Sequence, residues 1–260
     1  MNWYRSLVIA FSMYSAIPMP RVDWDREGMR HALCWFPLVG VPVALALWGW
    51  YRLCGYLALG RLLTAAGLTM LPIAVTGGIH LDGFCDAADA LASRQPREKK
   101  LEIMKDPRTG AFGVMAVCGC LLLACGAWDS FLLYGGEREL WAAGLGFILS
   151  RALSGFGVAT LPLAKESGLV HTFATAADKK AVAVIDGLLA LLAAGGMLLL
   201  APVPGLLGLL GASLALLRYS LVCRGMGGTT GDLAGYFLTL CELTVLLGLT
   251  LGLALEEGFL

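Results

Sequence analysis

The sequence predicts an all-α protein, a polytopic transmembrane helical bundle of about seven spans preceded by an N-terminal interfacial or membrane helix. Three observations carry this. The 260 residues are 58% hydrophobic and only 15% charged, whereas soluble domains run near 25% charged. Too few polar side chains remain to cover a water-facing surface, so lipid must cover it. Apolar windows long enough to cross the hydrocarbon, about 20 residues each, recur along the chain. Finally, the 34 glycines suit membrane helices, where small residues let backbones approach closely.

In order along the chain, residues 3–20 are apolar but short and end in Ile17-Pro18-Met19-Pro20. They read as a helix lying in the interface or partly inserted, with an eighth span as the alternative. Spanning windows follow near 31–54, 57–79, 110–133, 139–161, 181–202, 204–222 and 233–255. The loop 80–109 carries Arg94, Arg97, Lys99, Lys100, Lys105 and Arg108, and the loop 162–180 carries Lys165, Lys179 and Lys180. Arg21, Arg26 and Arg30 precede the first window, and Arg218 and Arg224 border the loop 223–232. With seven windows, all four segments fall on one side, and the opposite loops hold a single basic residue, Arg138. Positive charge stays in the cytoplasm, so these four segments are expected there, and the C-terminus outside.

No repeat or linker interrupts the chain, so residues 1–260 read as a single membrane domain. The eight cysteines form no C-x-x-C pair and read as small apolar helix residues. No cleavable signal peptide is evident in the first 20 residues. The formal net charge is zero, so bulk charge points to no nucleic acid partner.

Chemistry concentrates in His80-Leu81-Asp82-Gly83-Phe84-Cys85-Asp86-Ala87-Ala88-Asp89. Read as a helix, spacings of four and three place Asp82, Asp86 and Asp89 on one face. No lysine or arginine interrupts the three carboxylates, so a hard divalent cation is the expected neutraliser. Magnesium, which takes one or two carboxylates plus waters and phosphate oxygens, suits them. Lys105-Asp106-Pro107-Arg108-Thr109-Gly110 follows in the same loop, with two cations placed to bind phosphate and a further acid. Arg151 sits halfway along a window, where an arginine usually faces a polar cavity, and reads as an anion contact, with snorkelling or an internal ion pair as the alternative. Gly227-Gly228-Thr229-Thr230-Gly231-Asp232 opens the last window as a glycine-rich helix start suited to an anion, with Asp232 as N-cap or further metal ligand. Of the three histidines only His80, two residues before Asp82, stands out. Metal carboxylates with phosphate-binding cations suit phosphoryl or nucleotidyl-type transfer.

The run His80 to Leu91, then Leu101-Glu102-Ile103-Met104-Lys105-Asp106 and Gly110-Ala111-Phe112-Gly113, resembles the cobalamin synthase (adenosylcobinamide-GDP ribazoletransferase) family. Ile17-Pro18-Met19-Pro20, Phe36-Pro37-Leu38-Val39-Gly40, and Gly227 through Asp232 with Glu242 beyond are similar to further signatures of that family. The likeness therefore covers nearly the whole chain. Ala90 replaces a usual glycine, and Cys85 and Ala87 stand where alanine and threonine are common, which questions helix shape near residue 90 but costs no aspartate.

The resemblance implies magnesium-dependent transfer of the cobinamide-phosphate moiety of adenosylcobinamide-GDP to alpha-ribazole or its 5′-phosphate. A ribazole hydroxyl would attack the phosphorus nearest cobinamide, and GMP would leave. The setting implied is a prokaryotic inner membrane with the site on the cytoplasmic face. On this reading His80, Asp82, Lys105 and Arg108 are catalytic. Arg151, Gly227, Gly228, Thr229 and Gly231 bind substrate, and Asp82, Asp86, Asp89, Asp106 and Asp232 hold magnesium. Self-association, or association with other cobalamin-assembly enzymes, is left open. Other classes remain: a CDP-alcohol phosphotransferase-like or prenyltransferase-like membrane enzyme, or an ion-coupled transporter. The first usually carries D-x-x-D-G-x-x-A-R, absent here. The prenyltransferases usually repeat their aspartate box, and transporter acids usually lie near the bilayer midplane.

Overall fold

The computed structural model describes residues 3–258. Short helices α1 (Trp3–Tyr14), α2 (Arg26–Met29) and α3 (Ala32–Trp35) lead through a 3-10 turn at Phe36–Val39 into α4 (Gly40–Tyr56). Then come α5 (Arg61–Thr76), α6 (Ile79–Ala92), α7 (Arg97–Ile103), α8 (Ala111–Tyr134), α9 (Glu137–Thr160), α10 (Leu169–Ala176), α11 (Lys179–Leu200), α12 (Pro202–Met226) and α13 (Gly231–Gly258). Among the described residues the one extended pairing is an isolated parallel bridge between Leu163 and Thr229.

Six segments are long and apolar enough to cross a membrane: Ala32–Tyr56, Ala111–Tyr134, Glu137–Thr160, Lys179–Leu200, Pro202–Met226 and Gly231–Gly258. A seventh results only if the bent pair α5 and α6 is one broken span. The chain is a multi-pass membrane protein. Its outer surface agrees, since Leu122, Leu191, Leu192 and Leu199 are each at least 70% exposed, a wasteful arrangement in water and a favourable one in lipid.

The second window departs from expectation. Residues 57–79 give no single crossing helix; α5 starts at Arg61 and stops at Thr76. Its 16 residues reach only about 24 Å, short of the roughly 30 Å of hydrocarbon. Gly77 and Gly78 follow with φ of 67° and 78°, a left-handed pair that side-chain-bearing residues rarely adopt. They turn the chain through 97° into α6. This bend converts the aspartate run from the end of a span into a helix of its own. Despite Ala90, α6 runs unbroken to Ala92.

At the N-terminus, α1 has 12 residues, too few to cross. It packs Ile9 and Ala10 with Met29, Ala32 and Phe173, which agrees with the interfacial reading and not with an eighth span. Helix α9 is the central post: it buries fifteen residues, Arg151 among them, and packs against α4, α11 and α13. Helices α6 and α13 cross at two glycines. A Cβ on Gly235 would meet the His80 carbonyl at 2.9 Å, and one on Gly83 would meet the Asp232 Cα at 3.1 Å. That close approach joins the aspartate helix to the start of α13.

Candidate active site

The crossing of α6 and α13 brings two acidic stretches together from opposite halves of the chain. Asp82, Asp89 and Asp232 all lie close enough to Asp86 to act on its charge, as does Lys165. Lys165 Nζ stands 3.2 Å from Asp232 Oδ2. Asp82, Lys165, Thr229, Thr230, Gly231 and Asp232 line one cavity of about 280 Å³, together with His80, His171 and the Ser154-Gly155 step of α9.

The loop after α9 holds this cavity in place. Thr229 N donates to Pro162 O and Ala164 N to Thr229 O, so the glycine-rich turn is strapped to the segment carrying Lys165. Gly228, at φ 144°, is needed there because a Cβ would meet Pro162 O at 2.5 Å. Gly227 closes the end of α12 at φ 73°, with the Arg97 guanidinium lying over it. These two glycines shape the turn and are not among the residues lining the cavity. Thr229 does line it, but its hydroxyl is engaged by Tyr219 at 2.6 Å. The N-cap of α13 is Thr230, whose Oγ1 accepts from Leu233 N at 3.1 Å. Asp232, expected either as N-cap or as metal ligand, is therefore free of capping and turned toward Lys165.

Asp89 shares the α6 face but has a different partner. Its two carboxylate oxygens accept from Gly110 N at 2.6 Å and Gly113 N at 2.8 Å. An anion at a helix start is favoured by the unpaired N–H groups and the helix dipole. Asp89 thus anchors α8 to α6, and Gly110 and Gly113 leave no room for a side chain against it.

The loop 104–110 also differs. Arg108 folds back on Asp106, with Nε and Nη2 donating at 2.9 and 2.7 Å and its backbone N at 3.0 Å. The Arg108 hydrogen bonds hold the Asp106 carboxyl down at about 2, from 3.8. Lys105 and Arg108 are exposed, and neither they nor Asp106 line the carboxylate cavity. Asp89 tethers the end of this loop beside the site, while its cations face solvent.

Arg151 forms the internal ion pair that its position in the sequence left as the alternative to an anion contact. It is wholly buried, with Nη1 donating to Glu242 Oε1 at 2.7 Å and Phe147 O at 2.8 Å. It lines a second, membrane-level cavity and does not reach the carboxylates. An internal ion pair takes the place of the expected contact with a free anion. His80 is buried beside the rings of Tyr14 and Phe36, and its Nε2 has no hydrogen-bond partner. It lines both cavities.

Lys165 is the functional candidate that sequence reasoning passed over. In the sequence it was one of several loop cations, and nothing in its spacing tied it to Asp232. Arg61 and Asp129, unassigned from sequence, pair with each other at 2.8 Å at the other end of the bundle.

Asp82, Asp86 and Asp232 present hard oxygen donors with Lys165 as the neighbouring cation, the donor chemistry magnesium prefers. Among the described residues, no three His, Cys, Asp or Glu side chains already converge on one metal-sized position. The carboxylates are neighbours whose side chains must turn inward to share an ion, and phosphate oxygens and water complete such a shell in magnesium sites.

Fold and site together define a polytopic helical membrane protein with a carboxylate-lined polar cavity at one end of its bundle. Residues 6–250 match the family model described as cobalamin-5-phosphate synthase, and the chain belongs to that family of enzymes. It is 43% identical over 244 residues, covering 94% of this chain and 92% of the relative, to the adenosylcobinamide-GDP ribazoletransferase of Lachnoclostridium phytofermentans. It is 35% identical over 254 residues (94% and 96%) to the enzyme of that name in Desulfitobacterium hafniense, and 32% identical over 248 residues (93% and 95%) to one in Clostridium botulinum. No solved structure matches the chain.

Proposed function

We propose that the protein transfers the cobinamide-phosphate moiety of adenosylcobinamide-GDP to the hydroxyl of alpha-ribazole or its 5′-phosphate, releasing GMP. The observation that carries this reading is the gathering of Asp82 and Asp232 with Lys165 at an open cavity, with Asp86 beside them, in a chain of this family. Asp82, Asp86 and Asp232 would hold magnesium. When bound, the ion supplies Lewis-acid stabilisation of the charge that develops on the diphosphate.

The chain's own groups account for the rest. Lys165 lies at the cavity wall with its side chain only 14% exposed, placed to exchange its contact with Asp232 for a phosphate oxygen. Lys105, on the anchored loop beside the site, attracts the anionic substrate from solvent. The Asp82 and Asp232 carboxylates line the cavity and would accept a hydrogen bond from the incoming hydroxyl and so orient it, which is where positioning contributes most. The cavity lies at the end of the bundle that carries Arg97, Lys105, Arg108, Lys165 and Arg224, and so faces the cytoplasm of a prokaryotic cell by the positive-inside rule.

The test is GMP release by the purified protein in lipid nanodiscs, supplied with adenosylcobinamide-GDP, alpha-ribazole and magnesium. Activity should require the metal and fall by about 1000-fold or more in Asp82→Asn, the loss of an essential charged group. Full activity in Asp82→Asn, or in excess chelator, would refute the reading.

A further inference from the structure

The second cavity lies inside the membrane-spanning bundle. It is bounded by Cys120 to Trp128 of α8, Ala143 to Arg151 of α9 and Thr239 to Leu249 of α13, with α5 closing the side. Those stretches are the middles of their spans. The cavity's free volume is about 90 Å³, against the roughly 10–15 Å³ a single water needs, so a molecule of several heavy atoms fits. One end is apolar, with Leu68, Trp128 and Leu249; the other carries His80, Arg151 and Glu242.

At the polar end two nitrogens are left without partners. Arg151 Nε, on a side chain with no exposure, has no hydrogen bond, and neither does His80 Nε2, on a residue 91% buried by difference from its 9% exposure. Buried donors without partners cost free energy that a bound acceptor restores. A lipid tail would fill the apolar end and leave both nitrogens bare. Water would serve the nitrogens and leave the apolar end unsatisfied. An occupant that meets both demands is flat and mostly apolar, with one acceptor atom on its ring.

His80 also lines the carboxylate cavity, where Asp82 lies, so the two cavities are one side chain apart. We propose that this membrane-level cavity seats the heteroaromatic base of the ribazole acceptor. The base's unsubstituted ring nitrogen accepts from Arg151 Nε–H, beside His80, and its ribose reaches the carboxylate cavity. This rests on the transferase reading above and adds the acceptor's binding site to it. Glu242 gains a purpose as well: it fixes Arg151 through Nη1, leaving Nε for the ligand.

The experiment is titration calorimetry of alpha-ribazole, and separately of adenosylcobinamide-GDP, on the full chain in nanodiscs. Ala124→Phe fills the cavity from α8. It should weaken alpha-ribazole binding by about 30-fold or more, as expected for excluding a ring-sized apolar group, and change adenosylcobinamide-GDP binding less than about threefold. Leu121→Trp narrows the same space from a neighbouring turn and should give the same ordering if Ala124→Phe does not fold. Unchanged alpha-ribazole affinity in both folded variants overturns the proposal while GMP release still supports the transferase reading. So does a phospholipid that native mass spectrometry finds on the wild type and not on Ala124→Phe. Wild-type protein that binds neither substrate and releases no GMP overturns the transferase reading itself.

Discussion

Asp89→Asn separates two roles that the aspartate run leaves merged. Asp89 accepts two backbone hydrogen bonds, 2.6 and 2.8 Å long, from Gly110 and Gly113 at the start of α8. Hydrogen bonds to a charged group contribute about 1.5–3 kcal/mol each. Asparagine retains one acceptor oxygen and turns an NH2 group toward the other N–H, so one bond and the charge are lost. The cost is about 2 kcal/mol, a factor of roughly 30 in the local opening equilibrium. Hydrogen exchange read by mass spectrometry should show about that loss of protection at residues 110–113, with α9 and α13 unchanged. The magnesium concentration for half-maximal GMP release should stay within about threefold of wild type, whereas Asp86→Asn should raise it by about tenfold or more. Protection at 110–113 that survives Asp89→Asn, or a magnesium requirement shifted as far as in Asp86→Asn, would refute the anchoring role.

Three other perturbations test neighbouring parts. Arg151→Met strands the Glu242 carboxylate inside the bundle and should cost about 3–5 kcal/mol in thermal unfolding in detergent, while the Arg151→Met, Glu242→Met double variant recovers most of it. Gly83→Leu forces α6 away from Asp232, and displacement of about 1 Å can cost roughly 100-fold in rate; GMP release should fall by that order while the protein stays folded by circular dichroism. The Asp106 carboxyl lies at about 2 in the folded chain against an ordinary 3.8. Because the folded value is depressed, its pairing with Arg108 is fully present above about pH 4 and is lost as pH falls through 2, which the Asp106 side-chain carbon shift in micelle NMR would record; a midpoint near 3.8 would refute the pairing.

The two cavities divide the labour suggested by the reaction. The polar one gathers Asp82, Asp232 and Lys165 at the end of the bundle. The apolar one lies deeper, where carrying charge is costly, and the charge it does contain is paired within the protein. His80 lines both cavities, close to where α6 crosses α13 at Gly83 and Gly235.

Composition and hydropathy were sufficient for the class of fold, because covering a chain this apolar requires lipid whatever its topology. The helical period likewise placed Asp82, Asp86 and Asp89 on one face, since α6 is regular. Local pattern could not reveal the bend at Gly77-Gly78, because two glycines permit a turn without requiring one. Nor could it assign partners. Asp89 meets Gly110 and Gly113, Arg151 meets Glu242 ninety-one positions away, and Lys165 meets Asp232 sixty-seven away. Which charge neutralises which depends on how helices pack, and here on glycines that let α6 and α13 touch. The sequence by itself therefore determined a membrane helical bundle with a carboxylate site. The tertiary structure decided which carboxylates face the cavity, because a side chain's partner is set by contacts between distant helices, and these have no signature along the chain.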